Sequence, residues 1–141
     1  HRQNIIPHDI KFENILIDKK TKKIKICDFG LSKYVSEIVS TQDGCQGSFR
    51  YLSPEQLSFQ SYGLASDIWA LGILLFRVLT GYFPFFPQRK CKTQDAIIPP
   101  FLSDAAKDLL VKTLQKNPNN RITISEIIEH PFYISSLREK K

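Results

Sequence analysis

A mainly α-helical domain with one small β-hairpin near its start is predicted by three observations. Two short β-branched runs, NILID and KIKIC, lie either side of a Lys-rich turn between residues 14 and 27. The stretch SDIWALGILLFRVLTG, Ser66 to Gly81, is long enough for a helix and apolar almost all round. Two later segments, SDAAKDLLVKTLQKN and TISEIIEH, combine helix-start residues with apolar positions at helical spacing. A length of 141 residues suits one globular unit with a real core.

The elements follow in order. DKKTKKIK, Asp18 to Lys25, is the densest basic cluster in a chain of net charge +6, and reads as a solvated hairpin tip rather than a nucleic-acid surface. LSKYVSEIVSTQDGCQGSFRYL is a Ser/Thr/Gly/Gln-rich connection, of a length that usually carries function. PEQLSF follows from Pro54, and then comes the long helix, with Ser66 expected as N-cap and Gly81 as the stop. A helix without a polar face must be surrounded by protein. Where no preceding element covers it, Ile68, Leu71 and Leu75 are expected to expose an apolar patch. Ser103 caps the next helix, whose Ala106, Leu109, Leu110 and Leu114 face inward. Thr123 and Glu126 have capping-box spacing at the start of the last.

Composition excludes several classes. Hydrophobic residues make up 42% and charged residues 24%, and no apolar run is long enough to span a bilayer. The three cysteines, Cys27, Cys45 and Cys91, lack CxxC spacing, which argues against a disulfide framework or zinc site and for a reducing compartment, cytosol or nucleus. The chain opens on His1 and contains no Met, so it is expected to be a piece of a longer polypeptide.

The polar residues around the hairpin suggest chemistry. Asp9, Lys11 and Asn14 precede the first strand and Asp28-Phe29-Gly30 follows the second, so the hairpin brings Asp9, Asn14 and Asp28 toward one end. A carboxylate and an amide oxygen there suit Mg²⁺, which takes few protein oxygens and leaves its other positions to waters and phosphates. Asp9 with Lys11 beside it suits removal of a hydroxyl proton and neutralisation of a transferring phosphoryl group. Each fragment alone is most often a turn or a helix cap. Trp69 reads as core, His130 as a helix-end residue rather than a ligand, and His1 and His8 lack metal-ligand spacing. Cys27 reads as a small apolar filler or as a reachable thiol.

Taken together, these segments make the chain similar to the C-terminal lobe of a eukaryotic protein kinase of Ser/Thr type, over essentially its whole length. HDIKFEN resembles the catalytic loop H-R-D-L-K-x-x-N, DFG is intact, GSFRYLSPE resembles G-T-x-x-Y-x-A-P-E, and DIWALG resembles D-x-W-x-x-G. NPNNRI and HPF resemble the closing motifs. The resemblance implies a protein-kinase-like C-lobe, a partial domain covering residues 1–141, with ATP and Mg²⁺ as cofactors. It implies Asp9 as base, Lys11 on the transferring phosphate, and Ser48 holding Asp9 and the incoming hydroxyl. Asn14 and Asp28 would hold Mg²⁺, and Leu16 and Cys27 would line the nucleotide pocket, Leu16 under the adenine. Asp67 would bond the catalytic-loop backbone and Glu55 would pair with Arg121. The lysine two residues after Asp9 favours Ser/Thr of a protein substrate. Nucleic acid and membrane are not expected as partners.

Departures from the pattern qualify that expectation. Pro7 and His8 stand where the family has His and Arg, and Gly44 stands where many members carry a phosphorylated Thr. An activation switch built on an Arg–phosphate pair is therefore not expected, although Ser40, Thr41 and Asp43 are nearby; a regulatory protein partner or constitutive activity would replace it. Phe12 replaces a common Pro. Arg77 occupies a position often acidic in members that prefer basic substrates, which argues against that preference, although Glu13 remains. The Gly-rich loop and strand lysine of the N-lobe lie outside the chain, so these residues alone are expected to be inactive. The alternative is a non-catalytic, pseudokinase-like interaction module; intact Asp9, Lys11, Asn14 and Asp28 favour the catalytic half of a kinase.

Overall fold

A computed structural model describes residues 5–7, 9–28, 30, 32–34, 48–60 and 63–138. His1, His8, Phe29, Ser40, Thr41, Asp43, Gly44 and Cys45 lie outside the described residues. The architecture is mainly helical with a small hairpin, as predicted. Strand β1 is Ile5–Ile6, β2 Ile15–Ile17, β3 Ile24–Ile26 and β4 Lys33–Tyr34. The β2–β3 pair is antiparallel, with Ile15 opposite Ile26 and Ile17 opposite Ile24. Its Lys-rich tip closes because the Asp18 carboxylate accepts from the backbone N–H of Lys20 at 2.9 Å and of Thr21 at 2.8 Å. A second ladder was not anticipated: β1 pairs antiparallel with β4, so the start of the polar connection is a strand.

Among the described residues five α-helices follow, α1 Pro54–Leu57, α2 Leu64–Thr80, α3 Asp104–Thr113, α4 Ile124–Glu129 and α5 Pro131–Arg138. The expected cap at Ser66 is wrong. Helix α2 begins after Gly63, and the buried Ser66 hydroxyl instead donates to Glu55 Oε1 at 3.0 Å. The stop at Gly81 holds: its φ of 85° is left-handed and its N–H reaches the Arg77 carbonyl at 2.8 Å. Ser103 Oγ accepts from Ala106 N at 3.3 Å, and Thr123 with Glu126 forms the capping box. His130 ends α4. Its Nδ1 accepts from Phe132 N–H at 3.2 Å, which puts the ring proton on Nε2, donating to Asp108 Oδ2 at 2.7 Å.

Helix α2 is the hub of the core. Its Trp69, Ala70, Ile73 and Leu74 pack with Tyr51, Phe85, Cys91 and Leu114; its Phe76 packs with Leu102, Ala106 and Leu110; its Ile68 packs with Leu109 and Ile127. Each large side chain buried this fully is worth about 1.5–3 kcal/mol. The expected apolar patch at Ile68, Leu71 and Leu75 is not found, because α3 and α4 bury Ile68 and leave the other two half-buried. Trp69 stacks on Phe85 with centroids 5.7 Å apart. Burial pushes the Cys91 thiol up to about 12, with the nearby Glu55 charge adding to the effect, so this thiol is inert. No helix among the described residues is long and apolar enough to cross a membrane.

Candidate active site

The segment before the hairpin turns back on itself. Lys11 is extended, with φ −153°, and the 3₁₀ turn Phe12–Asn14 after it folds Asn14 onto the loop, where Asn14 N donates to the Lys11 carbonyl at 3.1 Å. Asn14 Nδ2 then donates to both the carbonyl and the Oδ2 of Asp9, each at 2.9 Å. Lys11 Nζ reaches Asp9 Oδ2 at 2.8 Å. Ser48 arrives from the far side of the connection, donating to Asp9 Oδ1 from its backbone N–H at 3.2 Å and from its hydroxyl at 3.0 Å. The same hydroxyl accepts from Lys11 Nζ at 3.0 Å, which closes a ring of three side chains.

This arrangement fixes the charge state of Asp9. Only 9% of the residue is exposed, and burial pushes its pKa up; hydrogen bonds from Lys11, Ser48 and Asn14 and the Lys11 charge outweigh that and hold it below the ordinary value. Lys11 is raised, chiefly by its hydrogen bond to Asp9 against desolvation, with the Asp9, Glu13 and Asp28 charges adding to it. The four donors occupy the lone-pair positions of the Asp9 carboxylate, so a fifth donor, such as an alcohol, must displace one of them.

Asp28 is tied in from the hairpin. The N–H of Cys27 donates to the Asn14 carbonyl at 2.9 Å, and the Cys27 thiol lies 3.4 Å from the same oxygen. Asp28 follows with φ 62°, left-handed backbone that Asp tolerates better than most residues, and its Oδ1 accepts from Gly30 N–H at 3.2 Å. It is exposed, with its second oxygen available. Both amide hydrogens of Asn14 are directed at Asp9, so its amide oxygen is the atom left for a cation. One carboxylate and one amide oxygen fit Mg²⁺ sharing its shell with phosphates and water. Among the described residues, no group of three or more His, Cys, Asp or Glu could hold a metal on its own.

The other residues singled out from the sequence lie on several elements. Asp67 is buried and lines a small cavity together with Asp9 and Ile10. Glu55 pairs with Arg121 as expected, through two contacts of 2.6 Å. Cys27 is half-buried, with its thiol engaged by backbone. Leu16 is 56% exposed on the hairpin and lines an open cleft of about 440 Å³ with Ile17 and Lys25. Sequence reasoning missed the Tyr51 hydroxyl, which accepts from Arg77 at 3.1 Å and lies 3.4 Å from Phe12 N. No spacing signal announces it, because its partners are 39 and 26 positions away.

Residues 1–133 match the protein kinase domain. Serine/threonine-protein kinase PLK4 of Drosophila virilis is 36% identical over 142 residues, covering 96% of this chain and 18% of that protein. Serine/threonine-protein kinase ksg1 of Schizosaccharomyces pombe is 37% identical over 153 residues, covering 94% of this chain and 26% of that protein. Protein kinase 3 of Dictyostelium discoideum is 40% identical over 152 residues, covering 94% of this chain and 17% of that protein. The chain therefore spans from 17% to 26% of the length of these curated relatives.

Proposed function

Since the chain belongs to the protein kinase family, we propose that it is the catalytic half, the C-terminal lobe, of an ATP- and Mg²⁺-dependent protein serine/threonine kinase. The observation that supports this reading is the Asp9 carboxylate, held ionised and aimed by Lys11, Asn14 and Ser48. Lys11 leaves Asp9 for an incoming phosphate and so frees a lone pair on Oδ2. The acceptor hydroxyl of a protein Ser or Thr takes that position and gives its proton to Asp9 as its oxygen bonds to the γ-phosphorus of ATP, while the bond from that phosphorus to the β–γ bridging oxygen breaks and ADP departs with the electron pair. Ser48 keeps the carboxylate oriented throughout. Asn14 and Asp28 would hold Mg²⁺, which would supply neutralisation of phosphate charge. Leu16 offers an apolar face to the nucleotide base. The free thiols of Cys27 and Cys91 support a reducing compartment, cytoplasm or nucleus.

The test uses the full-length protein and two variants. Asp28→Asn is expected to lose Mg²⁺-dependent nucleotide binding, because a neutral amide offsets none of the ion's charge. Asp9→Asn is expected to bind nucleotide nearly as the parent does, with turnover lower by about 10²- to 10⁴-fold. Nucleotide binding measured by calorimetry and phosphate incorporation into protein separate the two. Full turnover in Asp9→Asn would remove Asp9 from the mechanism; no turnover in the parent would favour an interaction module.

A further inference from the structure

A cleft of about 370 Å³ opens beside Lys11 and Ser48, lined also by Glu13, Arg50, Tyr51, Arg77 and Phe83. Its charge is lopsided, three cations against one carboxylate. Two of the cations converge on one ring, since the guanidinium carbons of Arg50 and Arg77 lie 4.9 Å and 4.7 Å from the Phe83 centroid. Like charges sharing a ring repel, and an anion placed between them relieves the repulsion. Glu13 does this poorly. It is 61% exposed and lies 3.6 Å from Arg77, beyond good hydrogen-bond distance.

A purely structural role accounts for part of Arg77, which donates to the Tyr51 hydroxyl and stacks on Phe83 and Phe12. It does not account for Arg50, which has no carboxylate partner among the described residues and still points its charge at the same ring. A planar guanidinium offers five donors, and the known contacts of these two residues leave several unused.

We propose that this cleft is a substrate subsite that selects an anionic side chain, carboxylate or phosphomonoester, within a few residues of the acceptor Ser or Thr. The proposal rests on the kinase reading for its position, because Lys11 and Ser48 join the cleft wall to the Asp9 carboxylate. Arg50 and Arg77 are the specificity residues. The acidic side chain of the substrate bridges them, and a basic one meets unrelieved repulsion.

The experiment phosphorylates a set of Ser peptides with full-length protein, placing Asp, phosphoserine, Ala or Arg at each position flanking the acceptor. Binding of the same peptides is followed separately by fluorescence anisotropy without nucleotide. At one position or more, Asp or phosphoserine is expected to raise kcat/KM about 3- to 10-fold over Ala, and Arg to lower it. Acceptance of phosphoserine alone assigns the site to previously phosphorylated substrates, and equal acceptance of Asp assigns it to acidic ones. Arg50→Gln and Arg77→Gln are expected to flatten the preference, and Arg77→Glu to invert it; Gln keeps a donor for Tyr51 should Glu prevent folding. Indifference to charge at every position, or a preference unchanged in both Gln variants, overturns the proposal. Absence of phosphorylation counts against the kinase reading, and binding then decides the cleft: acid-selective binding lost in the Arg variants sustains it, and charge-blind binding overturns it.

Discussion

Ser48 is placed to tune Asp9 as well as to orient it. Its hydroxyl is one of four donors to that carboxylate, and stabilises the ionised form while burial opposes it. In Ser48→Ala the backbone N–H contact remains but the hydroxyl is lost, together with the acceptor that holds Lys11 Nζ. Protonation of Asp9 becomes easier, so the acid limb of the kcat/KM profile is expected to move to higher pH, with a loss of turnover smaller than that of Asp9→Asn. A pH–rate profile of both proteins checks this; an unmoved limb, or one shifted to lower pH, would remove Ser48 from the control of Asp9. The meeting of Asp9, Lys11, Asn14 and Ser48 was legible through motif resemblance. The ring that Lys11 closes between them was not, because 37 positions of chain separate Lys11 from Ser48 and no periodicity spans a loop.

Gly72 sits where α2 crosses α3, and the fit there is tight. A Cβ at this position would lie 2.6 Å from Thr113 Oγ1, and 2.9 Å from both Thr113 Cβ and Leu114 Cδ2. Alanine would gain about 1 kcal/mol of helix propensity over glycine. Overpacking a filled interface costs about 1–3 kcal/mol, and with both Cβ and methyl contacts in the way that cost wins. Gly72→Ala is therefore expected to lower the denaturation midpoint. Adding Thr113→Ala removes the nearest of the three atoms and is expected to recover part of the loss; a double mutant no better than the single would place the strain elsewhere. Elements with strong local signals were legible: Gly81 ends α2, and Ser103 and Thr123 start α3 and α4. The β1–β4 ladder was not, since two-residue strands carry no alternation to read. Ser66 misled because a good capping residue was recruited by a buried partner, Glu55, which only the tertiary fold supplies.

Across the whole molecule, Arg121 joins parts of the chain that are far apart in sequence. Its guanidinium meets both oxygens of Glu55, 66 positions away, and also the carbonyls of Ala65 at 2.9 Å and Lys116 at 3.1 Å, while Nε donates to Gln115 O at 2.7 Å. The indole of Trp69 lies 5.0 Å from its carbon, so the pair is walled by the main core. With 20 basic and 14 acidic residues in the chain, no charge pattern says which two will meet inside; only resemblance singled out this pair. Removing one partner leaves the other charged and buried, so Glu55→Gln is expected to cost about 3–5 kcal/mol, and pairing it with Arg121→Met less than the two single losses combined. The pair also sets an acid limit. Burial pushes Glu55 up, but the hydrogen bonds and charge of Arg121 more than offset this, so its folded pKa lies below the ordinary 4.5. A carboxyl lowered on folding stabilises fully above its unfolded value, and that stabilisation disappears as pH falls from about 4.5 through the lowered folded value. Urea midpoints measured down through that window are expected to fall more steeply for the parent than for Glu55→Gln. Equal slopes would show that the acid-labile tie lies at another carboxylate.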